Sequence, residues 1–166
     1  MFACGGILFN HESPRRGLHF VTRKITAGAA CIKNGVTNPP INELGEPFVQ
    51  NGKLHMGDLS MKRDWGYAKE YIEAMWLMLQ ADEPRDYVIG TNTTHSVEDV
   101  CRIAFEHVGL NWEDHVVSDK RFMRPTEIKE LKGDYSKAKA ELGWEPRTSF
   151  EDLIRLMVDA DLKRFR

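Results

Sequence analysis

The chain has 166 residues, of which 42% are hydrophobic and 29% charged, and this composition excludes disordered, collagen-like and coiled-coil proteins. The length suits a single folded domain that can bury a core without disulfides or metals. The 23 basic and 25 acidic residues give a formal net charge of −2, which argues against a protein built to bind nucleic acid or an anionic membrane surface.

The beginning of the chain predicts a strand, a loop and a helix. The apolar run MFACGGILFN is typical of a strand buried on both faces, and the polar stretch HESPRRG that follows predicts a loop. Apolar residues at helical spacing then predict a helix from Phe20 to about Ile32, with Gly35 at its end. Because such a strand needs neighbours on both sides, we expect the chain to be part of a longer protein.

The middle of the chain interrupts this pattern. Residues 38–53, NPPINELGEPFVQNGK, contain three prolines and two glycines and predict an insertion loop or a hairpin. The stretch KLHMGDLS predicts a short strand and a turn, and MKRDWG leads into an amphipathic helix from about Tyr67 to Gln80. The apolar stripe of this helix is suited to packing in the core and consists of Tyr71, Met75, Met78 and Leu79, with Trp76 and Ile72 beside it.

The second half of the chain alternates strands and helices. DYVIG and HVVSD predict strands, and Ser96 with Asp99 resembles a capping box that opens a helix ending near Gly109. After the polar, loop-like stretch RFMRPTEIKELKGD, a short helix ends at Gly143 and a final amphipathic helix begins at Phe150. This alternation indicates an α/β layered arrangement with too few strands for a complete doubly wound sheet.

The cysteines and the apolar runs bear on where the protein resides. Cys4, Cys31 and Cys101 are widely spaced within apolar patterns, which predicts buried free thiols in a reducing compartment. The spacing of cysteines and histidines matches no zinc site. No apolar run approaches the ~18 residues of a membrane span and no secretory signal opens the sequence, so we expect a cytoplasmic protein.

Basic residues near the predicted strand ends are the candidates for ligand binding. The sequence has no phosphate loop, no GxGxxG fingerprint, and no HExxH or GxSxG motif. The basic candidates are Arg15, Arg16, Lys24, Arg63 and Arg124. A guanidinium binds phosphate oxygens through two parallel hydrogen bonds, and open α/β sheets place ligands at the ends of their strands. Together these residues predict a phosphorylated ligand, although each arginine alone is also explained as a solvated surface charge.

Six stretches of the sequence together resemble one enzyme family. They are ILFNHESPRRG, FVTRKI, KRDWGYAKEYIEAMWLMLQ, DYVIGTNTTHSVED, RFMRPTEI and DYSKAKAELGWEPRTSFEDL. In order and wording they are similar to the GDP-mannose 4,6-dehydratases, and the match covers nearly the whole chain except residues 38–53. The piece LGWEPRTSFED is shared by many extended short-chain dehydrogenase/reductases, whereas NHESPRRG and KRDWGYAKEY are much closer to this one family.

The resemblance implies a fold and the part of that fold that this chain forms. We expect residues 1–166 to form the C-terminal portion of an extended short-chain dehydrogenase Rossmann-type fold, which is an α/β fold, together with the smaller substrate-binding domain. In the family, the Gly-rich cofactor fingerprint, the catalytic Thr or Ser and Glu, and the YxxxK pair lie upstream of the strand that opens this sequence. The resemblance therefore implies that the catalytic residues lie outside this chain and that the chain is inactive alone.

The resemblance also implies a reaction, a cofactor and a substrate. In these lyases NADP takes a hydride from carbon 4 of the mannose, a glutamate removes the proton at carbon 5 as water leaves carbon 6, and the hydride returns to carbon 6. The product is GDP-4-keto-6-deoxymannose, which belongs to the nucleotide-sugar metabolism that forms GDP-fucose. The implied ligands of this chain are NADP and GDP-mannose.

Site residues carry over from the family by position. Two residues fall where the HESPRRG loop of the family approaches NADP, namely His11 and Arg16. Five more fall on positions associated with GDP-mannose, with arginines facing the diphosphate and other polar groups facing ribose, base or sugar: Asn10, Lys24, Arg63, Arg124 and Glu127. The resemblance implies no metal ligand.

The sequence leaves the assembly and three classes of function open. A separately encoded N-terminal half could complete the fold by docking at the open edge of the sheet, or the chain could form the dimers or tetramers common in the family. In place of an enzyme, the chain could be a non-catalytic module that keeps the GDP-sugar pocket for binding or assembly. Membership of a neighbouring family, a GDP-sugar reductase or a UDP-sugar epimerase, is disfavoured by KRDWG and NHESPRRG.

Overall fold

The computed structural model describes residues 1–123, 126 and 128–166. The helices in this part of the chain are α1 (Val21–Lys33), α2 (Ala68–Met78), α3 (Val97–His107), α4 (Ser136–Leu142) and α5 (Phe150–Arg164). The strands are β1 (Gly6–Leu8), β2 (Asn10–Glu12), β3 (Val49–Gln50), β4 (Lys53–Met56), β5 (Lys62–Arg63), β6 (Trp65–Tyr67), β7 (Tyr87–Ile89), β8 (His95–Ser96), β9 (Val116–Ser118) and β10 (Glu130–Leu131). The structure is therefore mixed α/β, as the alternation of patterns predicts.

The chain divides into two compact units, each built from three separate segments. Unit 1 comprises Met1–Ser13, Lys62–His95 and Glu130–Leu153, and unit 2 comprises Pro14–Met61, Ser96–Lys129 and Ile154–Arg166. The candidate residues Asn10, His11 and Arg63 belong to unit 1, and Arg16 and Lys24 belong to unit 2.

Unit 1 is organised by parallel strand pairs. Strand β1 pairs with β7, β2 pairs with β6, and β5 pairs with β10, all parallel. Helix α2 follows β6 directly and contributes Tyr71, Ala74 and Met78 to the core. One cluster of buried residues in this unit consists of Tyr71, Ala74, Met78, Tyr87, Ile89, Ala138 and Trp144. The apolar stripe predicted for this helix is therefore a core face only in part, because Ile72, Trp76 and Leu79 are exposed.

The first strand differs from the prediction that it is buried on both faces. The apolar run is divided into β1 and β2, and Ile7 in β1 is 58% exposed. The reason is that β7 is the one strand pairing with β1 among the described residues. The beginning of HESPRRG also differs, because His11 and Glu12 extend β2 and pair with Gly66 and Tyr67 instead of forming a loop.

Unit 2 packs α1 and α3 with the three-stranded sheet β3-β4-β9. Strand β3 is antiparallel to β4, and β9 is parallel to it. The hairpin between β3 and β4 turns at Asn51 and Gly52, whose φ angles of 51° and 72° are the left-handed values that a two-residue hairpin turn needs. Helix α1 lies close to β4, since a Cβ atom on Gly28 would be 2.9 Å from a methyl of Leu54.

Helix ends follow the local signals in the sequence. The predicted capping box is present, with the Ser96 hydroxyl accepting from the Asp99 amide and the Asp99 carboxylate accepting from the Ser96 amide. Helix α4 ends at Gly143, whose φ of 65° is left-handed. Helix α1 ends just before Gly35, which has a φ of 61°.

The predicted burial of the thiols holds for two of the three cysteines. Cys31 and Cys101 are buried, and Cys4 is half-buried. Burial raises the pKa of both buried thiols to about 12, so they stay protonated and unreactive at neutral pH. None of the helices in the described residues combines the length and apolar character needed to cross a membrane.

Candidate functional site

Asn10 and His11 stand side by side on β2 in unit 1. Their register partners on the parallel strand β6 are Trp65 and Gly66. Both candidate side chains are half-buried. The two side chains therefore leave the fixed backbone of one strand toward opposite faces, and His11 is held on a strand where a loop was predicted.

The imidazole of His11 is held by a hydrogen bond and by a ring contact. Its Nδ1 atom lies 2.8 Å from the carbonyl oxygen of Phe9. The ring stacks on Tyr71, with centroids 5.2 Å apart and planes inclined by 29°. The Tyr71 ring is fully buried, and burial, with the nearby carboxylates of unit 1, raises the pKa of its phenol. Sequence analysis placed Tyr71 in the core but missed this contact.

Arg63 lies on β5, two residues before β6. Its register partner is Leu131 on β10, and its Nη1 atom donates to the carbonyl oxygen of Lys62 at 2.7 Å. The side chain is half-buried. Strand β5 is separated by Asp64 alone from β6, and β6 pairs with the strand β2 that carries Asn10.

Asp64, the residue after Arg63, is a buried anchor that sequence analysis missed. Its carboxylate accepts hydrogen bonds from the amide and hydroxyl of Thr91, the amide of Asn92 and the amide of Gly133, at 2.7 to 3.1 Å. The residue is 1% exposed. A carboxylate satisfied by this many donors fixes the backbone on either side of it, including that of Arg63.

A pocket of about 210 Å³ also lies in unit 1. It is lined by Trp65, Thr91, Thr93, Pro146, Arg147, Thr148, Ser149 and Phe150. Buried Glu70 shapes its wall by accepting hydrogen bonds from the amides of Arg147 and Thr148 and from the Thr148 hydroxyl. No ligand-binding role was predicted for these residues, although they fall in three of the stretches that resemble the family: KRDWGYAKEYIEAMWLMLQ, DYVIGTNTTHSVED and DYSKAKAELGWEPRTSFEDL.

In unit 2, Arg16 is held in the loop before α1. Its guanidinium lies over the ring of Phe20, 3.5 Å from the centroid, and its carbonyl oxygen accepts a hydrogen bond from Arg23 Nη1 at 2.8 Å. Arg23 is itself buried and bonded to Asp161 through Nε, at 3.1 and 3.0 Å from the two carboxylate oxygens. Arg23 therefore supports the loop that carries Arg16, a role that sequence analysis missed.

Lys24 is a buried cation on α1. Its side chain is 5% exposed, and Nζ lies 3.9 Å from the ring centroid of Phe122. Burial lowers the pKa of the ammonium, while Glu43 and Asp119 act in the opposite direction. A cation kept over an aromatic ring is partly stabilised by the ring and remains able to bind an anion.

A network of charges adjoins Phe122 in unit 2. Asp119 accepts from Arg121, with 2.8 Å between Nη2 and Oδ2, and lies 3.2 Å from His55 Nδ1. Arg121 also donates to both carboxylate oxygens of Glu46 at 3.1 Å. The hydrogen bonds from Arg121 hold the pKa of Asp119 well below its usual range. This network joins the 38–53 segment to the loop after β9.

The remaining two candidates, Arg124 and Glu127, lie outside the described residues. Across the part of the chain that the structure describes, no cluster of three or more His, Cys, Asp or Glu side chains could hold a metal ion.

The fold is similar to those of known nucleotide-sugar enzymes. A structure of RMD from Pseudomonas aeruginosa complexed with NADPH superposes with a TM-score of 0.80 at 19% identity, covering 96% of this chain and 48% of that one. A dTDP-glucose 4,6-dehydratase from Bacillus anthracis in complex with NAD gives a TM-score of 0.72 at 20% identity, covering 95% of this chain and 44% of that one. The chain therefore has the Rossmann-type α/β fold found in extended short-chain dehydrogenase/reductases.

Sequence comparison narrows this class to a family. The family model described as GDP-mannose 4,6 dehydratase matches residues 1–157, and the chain belongs to that family. It is 52% identical to GDP-mannose 4,6 dehydratase 1 of Arabidopsis thaliana over 163 residues, which cover 98% of this chain and 41% of the relative. It is 45% identical to the human GDP-mannose 4,6 dehydratase, covering all of this chain and 45% of the relative. The chain thus spans less than half the length of these relatives.

Proposed function

We propose that this chain binds GDP-mannose and contacts NADP as part of a GDP-mannose 4,6-dehydratase, a lyase that forms GDP-4-keto-6-deoxymannose and water. The match of residues 1–157 to the family model carries this proposal. The relatives of that name are about twice as long, and the catalytic Thr or Ser, Glu and YxxxK pair would come from the part that this chain does not span.

For the GDP-mannose diphosphate, the proposed group in unit 1 is Arg63. The guanidinium stands at a strand end, and buried Asp64 holds the adjacent backbone in place through hydrogen bonds to Thr91 and Gly133. A fixed backbone lowers the entropy lost when the side chain binds phosphate oxygens. Asn10, on the strand β2 that pairs with β6, supplies an amide that can form a hydrogen bond with a hydroxyl of the sugar or ribose.

In unit 2 the proposed GDP-mannose contact is Lys24. Its ammonium is buried over Phe122, so it is poorly hydrated and gains more from an anionic ligand than an exposed lysine would. The residues proposed to complete the substrate contacts, Arg124 and Glu127, follow Phe122 closely in sequence.

For NADP, the residues present fit the chemical groups of the cofactor. His11 offers a ring held in one orientation, and Arg16 offers a cationic guanidinium held over Phe20, which suits a phosphate. The cofactor would supply a hydride acceptor and donor. The contribution of this chain would be to bind and orient, since the proton-transferring residues belong to the segment it does not span.

A product assay tests the catalytic part of this proposal. The purified 166-residue chain is incubated with GDP-mannose and NADP, and GDP-4-keto-6-deoxymannose is sought by mass spectrometry. We expect none. Product formed by the chain alone would contradict the assignment of catalysis to residues outside it.

A competition experiment tests the substrate class. Saturation-transfer NMR with GDP-mannose and UDP-glucose at equal concentration should show transfer to the GDP-sugar. Equal transfer to both, or preference for UDP-glucose, would contradict the GDP-sugar assignment and favour a neighbouring nucleotide-sugar enzyme. Preference for GDP-mannose without catalysis, even after the missing part of the fold is added, would instead favour a non-catalytic binding module.

A further inference from the structure

Gly66 and Tyr71 fit together in a way that neither residue alone would predict. Gly66 faces His11 in the register of β2 and β6. A Cβ atom on Gly66 would lie 2.4 Å from Tyr71 Cε2 and 2.6 Å from its hydroxyl oxygen, closer than atoms can approach. The Tyr71 ring therefore occupies the space that any larger residue at 66 would need.

The other side of the Tyr71 ring is also fixed. Trp144 meets it edge-on, with centroids 5.9 Å apart and planes at 87°. The indole of Trp144 is held in turn by its Nε1 donating to the Glu70 carbonyl oxygen at 2.9 Å. With Gly66 on one side and Trp144 on another, Tyr71 has little freedom to move, and His11 stacks on a rigid ring.

The hydrogen bond of His11 determines which ring nitrogen carries the proton. The Phe9 carbonyl oxygen can only accept, so the contact at 2.8 Å requires a proton on Nδ1. In a neutral imidazole Nε2 then carries a lone pair and accepts a hydrogen bond. This is the less common tautomer of a free histidine side chain, so it has to be held by its surroundings.

We propose that Tyr71 is a positioning residue that holds His11 with Nδ1–H on the Phe9 carbonyl, so that Nε2 accepts a hydrogen bond from a donor group of the bound nucleotide. This inference rests on the proposed cofactor role of His11. The donors available on NADP are the ribose hydroxyls and the carboxamide of its nicotinamide half, and the 3′-hydroxyl and the amino group of its adenosine half. A phosphate offers only acceptors to a neutral Nε2 and is left to basic residues; between the two halves, we assign His11 to the nicotinamide riboside.

Nitrogen NMR of the ligand-free full chain tests the positioning step. With His11 assigned through the variant H11Q, the two-bond couplings of its ring should show the Nδ1–H tautomer in the natural chain and in Tyr71→Phe, which keeps the ring. Tyr71→Leu and Gly66→Ala, which remove or displace the ring, should shift His11 to the Nε2–H tautomer.

The chain contains a matched control for this measurement. His115 also directs Nδ1 at a carbonyl oxygen, that of Gly52 at 2.9 Å, and stacks on Phe105 in unit 2. It should keep the Nδ1–H tautomer in every Tyr71 variant that folds. An Nε2–H tautomer of His11 in the natural chain, or an unchanged tautomer in both Tyr71→Leu and Gly66→Ala, would overturn the proposal.

Ligand titrations test the chemical assignment of Nε2. NADP and nicotinamide mononucleotide should move the Nε2 resonance of His11 upfield, as expected for a nitrogen that accepts a hydrogen bond, whereas adenosine 2′,5′-bisphosphate should leave it unmoved. Protonation of Nε2 on adding the bisphosphate would overturn the assignment. If His11 has the expected tautomer but its Nε2 resonance responds to none of the three nucleotides, the cofactor role of His11 is overturned while its positioning by Tyr71 is confirmed. The failure of the proposed function and the failure of the positioning proposal are therefore distinguishable.

Discussion

Asp64 and Thr91 are joined by three hydrogen bonds, from the Thr91 amide at 2.9 and 3.0 Å and from its hydroxyl at 2.7 Å. This contact ties the residue that follows Arg63 to the loop that follows β7. The same carboxylate accepts from the Gly133 amide at 3.1 Å. Asp64 thus holds the backbone next to the proposed diphosphate contact.

Removing the Asp64 carboxylate should lower both the free energy of unfolding and the affinity for GDP-mannose. Asp64→Ala leaves the partly buried donors of Thr91 and Asn92 and the buried amide of Gly133 without their acceptor, which lowers the free energy of unfolding by about 3 kcal/mol. Urea denaturation measures the loss. Asp134→Ala is the control, because that exposed carboxylate caps only its local turn and should cost about 1 kcal/mol or less. Equal effects of the two variants would contradict the anchoring role.

Arg23 and Asp161 form a buried ion pair. Replacing one of these two residues alone should strongly lower the free energy of unfolding. Both side chains are buried, and Thr26 also donates to the carboxylate at 2.8 Å. Arg23→Met leaves Asp161 charged and uncompensated, at a cost of about 3 to 5 kcal/mol. The double variant R23M/D161L should lose less stability than the sum of the single variants in chemical denaturation. Additive losses would show that the two residues do not act as a pair.

The Tyr71 hydroxyl makes a third prediction possible. It is buried, and no atom among the described residues forms a hydrogen bond with it. Tyr71→Phe should therefore leave the free energy of unfolding unchanged or raise it by about 1 kcal/mol, because an unsatisfied polar group is removed. Tyr71→Ala, which removes the ring, should cost about 3 to 5 kcal/mol. Thermal or urea unfolding of both variants checks this, and a marked loss for Tyr71→Phe would reveal a hydrogen bond to that hydroxyl.

The charge network around Asp119 predicts a dependence of stability on acid. Hydrogen bonds from Arg121 place the pKa of Asp119 in the folded chain below the value of about 3.9 in an unfolded chain. Its contribution is fully present above that unfolded value and is lost as the pH falls toward the folded pKa. At pH 7 the Asp119→Asn variant should have a lower free energy of unfolding than the natural chain. This difference in free energy should shrink as the pH drops from 4 to 2. A difference that does not change with pH would contradict the shift.

The parts of this structure that sequence analysis predicted depend on local signals. The capping box of Ser96 and Asp99 and the left-handed end of α4 at Gly143 each need only a few neighbouring residues. The helix bounds and the alternation of strands and helices follow from periodicity in the same way. The chemistry of basic residues near strand ends indicated Arg16, Lys24, Arg63 and Arg124 as binding candidates, and the family resemblance assigned their ligands and added Asn10, His11 and Glu127.

The parts that sequence analysis missed depend on contacts between distant segments. Asp64 and Gly133 are 69 positions apart, and Arg23 and Asp161 are 138 apart. No local pattern distinguishes these buried charges from solvated ones, because their burial is created by tertiary packing. The extension of β2 through His11 has the same cause, since polar residues there form a strand only by pairing with β6.

The most direct test of the central claim is isothermal titration of the full chain with GDP-mannose, comparing the natural sequence with Arg63→Ala. The control is Arg85→Ala, which removes an exposed arginine of unit 1 that pairs with Glu83 and Glu141. We expect the natural chain and Arg85→Ala to bind GDP-mannose equally, and Arg63→Ala to lose at least about tenfold in affinity, the value of one charge-assisted hydrogen bond. Equal binding by all three proteins, or no binding by a folded natural chain, would contradict this expectation.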